Sequence, residues 1–437
     1  MRDIAVVLIV FGSLPFILRR PWIGIIMWTW LGFMNPHRLA WGFATTMPVA
    51  MLVALATLVG LLAVREPKKV PWNRESITLL LFVIWMTITT PFAMHSADAW
   101  QQWEKVIKIQ FMIFVAMMLI TNRERLNALV WTIVLSIGFY GVKGGIFTIM
   151  QGGANRVYGP PGTFIGGNNE MGLALAMTVP LMYYLYQEAK QVWVRRGLLA
   201  MMLLTTLAAF GTHSRGALLG MAAMGAMLWW KSRQKFFMAF ILMIGVSMVF
   251  IFMPQEWFDR MVTIKTYQED ASTQGRFTAW RYGYRVAASN FFGGGFETFA
   301  GRTDAHSIYF EVLGEHGFIG LALFLTLWLF TWLAAGRIRK ATEKTPDMEW
   351  MARLARMTQV SLVAYLTAGA FLGMAYFDYP YNLVLIVVIC RAILAARAAA
   401  PEPSPAVGAL PPRHVRRAAR APLEDARARG SPAAGGP

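Results

Sequence analysis

The sequence predicts an all-α polytopic integral membrane protein with about twelve transmembrane helices and one long loop outside the membrane. Of its 437 residues, 57% are hydrophobic and 15% are charged, whereas roughly a quarter of the residues in a soluble domain carry a charge. The apolar residues form charge-free runs close to the ~20 residues that cross a bilayer as a helix. Examples are residues 49–64, 77–92 and 236–253. These runs lack the alternation of transmembrane strands, which argues against a β-barrel.

The positive charges indicate which loops face the cytoplasm. A net charge of +18 would also suit a nucleic-acid-binding protein. However, Lys and Arg are concentrated in short loops between the apolar runs, which is the pattern of cytoplasmic loops in membrane proteins. We therefore expect no nucleic-acid partner. The basic loops are 19–20, 65–69, 123–125, 190–196, 231–235 and 337–340.

Alternation of these loops divides the chain into a transmembrane domain, residues 1–397, and a tail, residues 398–437. The tail is rich in Ala, Pro, Arg and Gly, so it is predicted to be a disordered, basic cytoplasmic segment that contacts anionic lipid headgroups. The first apolar runs, 4–18 and 22–35, form either two spans or a re-entrant or tilted hairpin, which leaves the side of the N-terminus open. The predicted outer segments are 95–105, 151–169, 212–216 and 255–317.

Arginine residues gather in these outer segments. The segment 255–317 is much longer than a connection requires, and loops of that length are often functional. Helical spacing places Arg276 and Trp280 near one face of a helix, with Arg281 beside them. Guanidinium groups bind phosphate oxygens bidentately, so the sequence predicts a cationic outer site for a lipid-linked pyrophosphate. The candidate residues are Arg156, Arg215, Arg276, Arg281, Arg302 and Trp280.

The polar stretch DAHSIYFEVLGEHGFI, residues 304–319, directly precedes an apolar run. Its position predicts that His306 faces the outer water layer at the start of a helix, where Asp304 could orient it. We interpret Glu311 and Glu315 as binding loop backbone or arginine. The outer loops hold few acidic residues and no Asp-x-Asp pair, so neither a metal ion nor another cofactor is expected.

Three further residues of this region are interpreted as structural. Ser307 suits the N-cap of the helix that follows. His316 is expected at the edge of that helix, and His213 is expected to support its turn. None of the three is a predicted site residue.

Three motifs in this order resemble the O-antigen ligase family of membrane glycosyltransferases. They are THSRGALLG (212–220), QGRFTAW (274–280) and AHSIYFEVLGEHGFIG (305–320). The N-terminal stretch RRPWIGIIMWTWLGFMNPHRLAWGFA (19–44) further resembles the exosortase-associated O-glycosylation ligase branch. The chain departs from the family pattern at GGNNE (166–170) and at Asn290, where many members have proline.

This resemblance implies transfer of a glycan from undecaprenyl pyrophosphate to a sugar hydroxyl of lipid A–core, on the periplasmic face of the bacterial inner membrane. It places His306 at the proposed catalytic histidine. It places Arg215 and Arg276 at pyrophosphate-binding arginines, and Arg156 in a further matched region. The implied reaction is inverting and metal-independent, with arginine as the counter-charge.

Other functions remain open from the residues alone. A polymerase that joins two lipid-linked repeats keeps the chemistry and changes the acceptor, as does a ligase that glycosylates protein or exopolysaccharide. A lipid-linked glycan transporter would need charges through the membrane midplane and usually internal repeats. The candidate charges lie instead on one outer face, which favours catalysis.

Overall fold

A computed structural model describes residues 2–66, 68–231, 271–302 and 304–399, together with scattered positions between 235 and 258. Within these residues every regular element is helical, which confirms the predicted all-α class. The apolar run 236–253 lies partly outside the described residues. So do residues 259–270 of the long outer loop and residues 400–437 of the predicted tail.

Thirteen α-helices have both ends among the described residues. They are α1 (Arg2–Arg19), α2 (Trp22–Met34), α3 (Val49–Ala63), α4 (Arg74–Thr89), α5 (Ser96–Leu119), α6 (Arg123–Met150), α7 (Asn168–Glu188), α8 (Val192–Gly211), α9 (Arg215–Lys231), α10 (Ala271–Ser289), α11 (Ile308–Thr342), α12 (Glu349–Ala368) and α13 (Asp378–Ala399). Short 3-10 turns follow α4 and α12.

Five of the described helical segments are long and apolar enough to cross a membrane, which makes this a multi-pass membrane protein. They are α4 with its 3-10 turn, α6, α8, α11 and α13. Two shorter helices, α2 and α3, are also apolar. The total of about twelve spans, and the side of the membrane on which each loop lies, stay predictions.

Glycines bring α9 into close contact with α12. A Cβ atom on Gly216 would lie 3.3 Å from the carbonyl oxygen of Ala368, and one on Gly220 would lie 3.0 Å from that of Ala364. Small residues four apart allow membrane helices to approach this closely. The contact fixes the position of Arg215, the first residue of α9.

A second close contact fixes the connection between α10 and α11. The backbone N–H groups of Gly294 and Gly295 donate to the carbonyl oxygens of Gly314 and Glu315, each at 2.8 Å. These carbonyls lie just before Gly317, where α11 is interrupted by a non-helical residue with φ 66° and ψ −169°. Residues 293–295, the glycine turn, are therefore hydrogen-bonded to the backbone at the kink of α11.

Replacing Gly293 with alanine should destabilise the protein more than the same change at Gly301. Both residues have left-handed φ angles, 74° and 72°, and that conformation costs an L-residue about 1–2 kcal/mol. A Cβ at Gly293 would also lie 2.6 Å from the oxygen of Glu315, whereas the space around Gly301 is open. Thermal unfolding in detergent should give the highest midpoint temperature for wild type, a lower one for Gly301→Ala and the lowest for Gly293→Ala. Equal midpoints for the two variants would contradict the close contact.

Candidate active site

A cavity of about 370 Å³ opens where several helix ends meet. Its wall is formed by the starts of α7 and α9, by α10, by the residues before α11 and by the end of α12. The predicted site residues His306, Arg215 and Arg276 line it together. The full lining is Asn169, Ser214, Arg215, Gly216, Ala217, Arg276, His306, Ala368, Phe371 and Leu372.

The turn before α9 is held rigidly by its neighbours. The side-chain amide of Asn168 donates to the carbonyl oxygen of Thr212 at 2.8 Å. The Nε2 atom of His213 lies 2.8 Å from the carbonyl oxygen of Gly153, which agrees with the structural role expected for this histidine. The hydroxyl of Ser214 accepts from the backbone N–H of Ala217 and caps the helix. The N-terminus of α9, which attracts anions, is thereby fixed in the cavity wall.

His306 has an unusual backbone conformation that its neighbours support. Its φ angle is 45°, a left-handed value that costs a non-glycine residue free energy and often marks functional sites. The indole of Trp280 donates to the carbonyl oxygen of Ala305 at 2.8 Å. The Trp280 ring stacks on Phe310 with ring centroids 4.9 Å apart and an interplanar angle of 6°. The stacked Trp280 therefore fixes the peptide that precedes His306.

The side chain of His306 is partly open to solvent and lies beside a carboxylate. It is 37% exposed, and its Nδ1 atom lies 3.4 Å from Oδ2 of Asp304. A carboxylate in this position accepts a hydrogen bond from Nδ1–H, which leaves Nε2 of the neutral ring without a proton. The geometry agrees with the expectation that Asp304 orients the ring.

Two glutamates of the same stretch bind loop backbone, as expected. A carboxylate oxygen of Glu311 accepts from the backbone N–H of Ala375 at 3.0 Å. Glu315 accepts from the backbone N–H of Glu297 at 2.9 Å and from the hydroxyl of Tyr376 at 2.5 Å. These bonds tie the start of α11 to the loop before α13 and to the loop that follows the glycine turn.

Two expectations for this helix are corrected. His316 was expected at the helix edge, but it is completely buried, with its Nδ1 atom 2.7 Å from the hydroxyl of Thr89 and its ring 4.6 Å from that of Phe296. The reason is that Thr89, from α4, and Phe296, from the loop after the glycine turn, cover this part of the helix. Ser307 occupies the N-cap position of α11, but its side chain makes no capping hydrogen bond.

The other predicted site residues lie around the cavity rather than in its lining. Trp280 and Arg281 line a separate groove of about 460 Å³ between α10 and Phe310 of α11. The guanidinium of Arg302 lies 4.4 Å from the ring centroid of Tyr282, and Arg156 is exposed between α6 and α7. Among the described residues, neither the cavity lining nor the groove lining includes Arg156 or Arg302.

The apolar wall at the end of α12 was missed by the sequence reasoning. Ala368, Phe371 and Leu372 close the cavity on that side. Nothing in their residue types distinguishes them from the other apolar residues of this region. Their place at the cavity follows from the packing of α9, which carries a predicted arginine, on the same helix.

Carboxylates gather near Asp304, and they affect Glu297. Burial, together with the like charges of Asp98 and Asp304, raises the pKa of Glu297 above its ordinary value, although Lys105 partly offsets this. In the part of the chain that the structure describes, no three His, Cys, Asp or Glu side chains are arranged to hold a metal ion. Metal independence stays a prediction.

Two family models match this chain. Residues 200–325 match the family described as O-Antigen ligase. The chain carries an O-antigen ligase domain. Residues 1–189 match a family of unknown function (DUF5935). A search of curated proteins finds no match.

The O-antigen ligase match confirms the family resemblance and covers the centre of the site. The matched residues include Arg215, Arg276 and His306, so three elements of the cavity wall belong to this domain. The match supports a glycan function of the ligase or polymerase type. The proposed kinship of the N-terminal part with the exosortase-associated branch stays a prediction.

Replacing Glu297 with glutamine should stabilise the protein at neutral pH. A raised carboxyl pKa means that the folded state holds the proton more tightly than the unfolded chain. The stability contributed by this group is therefore complete below the unfolded pKa of about 4.3 and is lost as pH rises through the folded pKa. Glutamine stays neutral and avoids the loss, so Glu297→Gln should unfold at a higher temperature than wild type at pH 7.

A pH series of thermal unfolding in detergent checks this. The advantage of Glu297→Gln should shrink toward zero near pH 4, where the wild-type carboxyl is itself protonated. In an Asp98→Asn background the advantage should be smaller, because one of the like charges that raise the pKa of Glu297 is gone. An advantage that is the same at every pH would show that the charge of Glu297 is not its cause.

Proposed function

We propose that the protein is an O-antigen ligase of the bacterial inner membrane. It transfers a glycan from undecaprenyl pyrophosphate to a sugar hydroxyl of lipid A–core at the periplasmic face, without a metal ion and with inversion at the anomeric carbon. One observation supports this most directly: His306, Arg215 and Arg276 line a single cavity together with the N-terminus of α9. This combination suits an anionic leaving group beside a base.

The arginines and the helix terminus bind the pyrophosphate of the donor in this proposal. Arg215 begins α9 and Arg276 comes from α10, so two different elements hold the same group. Charge develops on the pyrophosphate as its bond to the sugar breaks. Preorganised positive groups at that place stabilise the transition state by several kcal/mol, typically about 3–4 for one well-placed donor.

His306 acts on the acceptor hydroxyl. The acceptor oxygen attacks the anomeric carbon, its proton passes to Nε2 of His306, and the electron pair of the broken carbon–oxygen bond stays on the pyrophosphate. Asp304 holds the proton on Nδ1, 3.4 Å away. General base assistance of this kind contributes about 10²–10⁴-fold to the rate.

The remaining predicted residues take supporting places in the proposal. Trp280 fixes the backbone before His306 through Ala305, and Arg281 lies in the separate groove. Arg156 and Arg302 are not part of the cavity lining, and in this proposal they meet the glycan or the lipid headgroups rather than the pyrophosphate. We therefore expect smaller effects from these two than from Arg215 and Arg276.

Replacing His306 with alanine should abolish glycan transfer. The purified wild type should convert undecaprenyl-pyrophosphate-linked glycan and lipid A–core into a ligated ladder in the presence of chelator, because arginine supplies the counter-charge. The variant should make no ladder while unfolding at the wild-type temperature. An unchanged ladder would show that His306 takes no part in the chemistry, although the family match would remain valid.

The acceptor is tested in the same experiment. If wild type makes no ladder with lipid A–core but extends a second lipid-linked glycan, the enzyme is a polymerase. Product on a protein or an exopolysaccharide would instead support an O-glycosylation ligase. Movement of labelled lipid between leaflets without any new glycosidic bond would support a transporter and overturn the proposal.

Replacing Trp280 with phenylalanine should lower kcat about 2- to 10-fold and leave KM unchanged. Phenylalanine keeps the stack on Phe310 but loses the hydrogen bond to Ala305, and one neutral hydrogen bond is worth about 0.5–1.5 kcal/mol. A raised KM with unchanged kcat would mean that Trp280 contacts substrate directly. The readout is steady-state transfer kinetics with varied acceptor.

A further inference from the structure

Asp304, whose carboxylate lies beside His306, faces a glycine of the segment between α12 and α13. A Cβ atom on Gly373 would lie 3.0 Å from each carboxylate oxygen of Asp304 and 3.4 Å from its Cγ atom. In the described part of the chain these three atoms are the nearest to that position. Both oxygens are equally close and both are nearer than Cγ, so the end of the carboxyl group faces Gly373. The carboxylate therefore occupies space that a side chain at Gly373 would need.

Gly373 is not required for its backbone conformation. Its φ angle lies outside the left-handed region, so alanine could adopt the same backbone without the strain that left-handed positions impose. What distinguishes glycine here is the missing Cβ atom alone.

The segment that carries Gly373 is held in place by its neighbours. The carbonyl oxygen of Met374 accepts a hydrogen bond from the hydroxyl of Tyr365 at 3.2 Å, and that of Ala375 accepts one from the hydroxyl of Tyr381 at 2.8 Å. The backbone N–H of Ala375 also donates to a glutamate of α11 at 3.0 Å. Both tyrosines are completely buried. The segment therefore has little freedom to retreat from the carboxylate.

The carboxylate of Asp304 is the partner that moves more easily. Its side chain is 56% exposed, and its Oδ2 atom lies 3.4 Å from Nδ1 of His306. This distance is already longer than the roughly 2.7–3.2 Å of most N–H···O hydrogen bonds. A Cβ atom at Gly373 would displace the carboxylate by a few tenths of an ångström. The open side leads to solvent, so the displaced carboxylate would leave His306.

We propose that Gly373 is a positioning residue for His306 and acts through Asp304. By leaving room for the carboxylate, Gly373 lets Asp304 accept the hydrogen bond from Nδ1–H, which leaves Nε2 without a proton. The role of Gly373 rests on the proposed function, in which Nε2 takes the proton of the acceptor hydroxyl. The preceding residue, Leu372, lines the cavity. One segment thus closes the cavity and sets the tautomer of its histidine.

The tautomer of His306 can be measured without any substrate. Imidazole nitrogen signals in an NMR spectrum distinguish a protonated from an unprotonated nitrogen, and the purified full-length protein is labelled with nitrogen-15 at its histidines. The signal of His306 is the one lost in His306→Gln. At alkaline pH the proton should lie on Nδ1 in wild type and shift to Nε2 in Gly373→Ala. The matched control is Gly197→Ala, which adds the same methyl group where no atom lies within 4 Å, and it should keep the wild-type signal.

Transfer kinetics give a second readout. Gly373→Ala should lower kcat about tenfold and leave KM unchanged, because a misplacement of about 1 Å in a catalytic constellation costs ~10²-fold. In an Asp304→Ala background the same substitution should lower kcat no further, because the carboxylate that it displaces is gone.

Each outcome decides the matter. A wild-type tautomer signal in Gly373→Ala overturns the proposal, and so does an equal fall in kcat with and without the Asp304 carboxylate. If Gly373→Ala does not fold, the double variant with Asp304→Ala should fold again, and its failure to do so overturns the proposal. If wild type transfers glycan to no acceptor, the proposed function fails, whereas the tautomer signals still decide the role of Gly373.

Discussion

The structure around the cavity depends on the two hydrogen bonds between the glycine turn and the kink of α11. The non-helical residue Gly317 interrupts the regular pairing of this helix, and interrupted helices need other donors for the carbonyls just before the break. Gly294 and Gly295 supply them at 2.8 Å. Side chains with a Cβ atom would not allow this approach. The glycine turn thereby fixes the start of the segment that ends at His306.

Backbone strain occurs in and beside the turns that form this cavity. Five described non-glycine residues have left-handed φ angles; Asn35 and Asp347 lie in other turns, and the remaining three are His213, Glu297 and His306, with φ between 45° and 59°. Each is restrained by a partner: a carbonyl oxygen at the His213 ring, the Glu315 carboxylate at the Glu297 backbone, and Trp280 at the peptide before His306. Strain persists only where the surroundings enforce it. The cavity wall is therefore preorganised, which is the property that electrostatic stabilisation of a leaving group requires.

The helical class and the cationic character of the outer loops could be predicted from the sequence, because both are encoded locally. Apolar runs and basic loops need no tertiary information. The grouping of Arg215 with Arg276 was predicted from their outer segments, whereas the catalytic place of His306 beside them came from the family resemblance, since these elements meet only in the fold. The burial of His316 could not be predicted because its partner, Thr89, is 227 residues away. The number of spans stays open because several described helices are short or carry polar residues.

The packing of helix α9 against α12 decides how firmly Arg215 is held in the cavity wall. Gly216 and Gly220 hold α9 so close to α12 that a Cβ atom at either position would lie 3.0–3.3 Å from a backbone carbonyl oxygen, so a shift along the helix would bring larger side chains into these carbonyls. A coupled switch needs an element with two alternative packings, and this contact favours one. Rigidity in α9 suits the proposed site, in which a pyrophosphate stays in one place while large glycans arrive and leave.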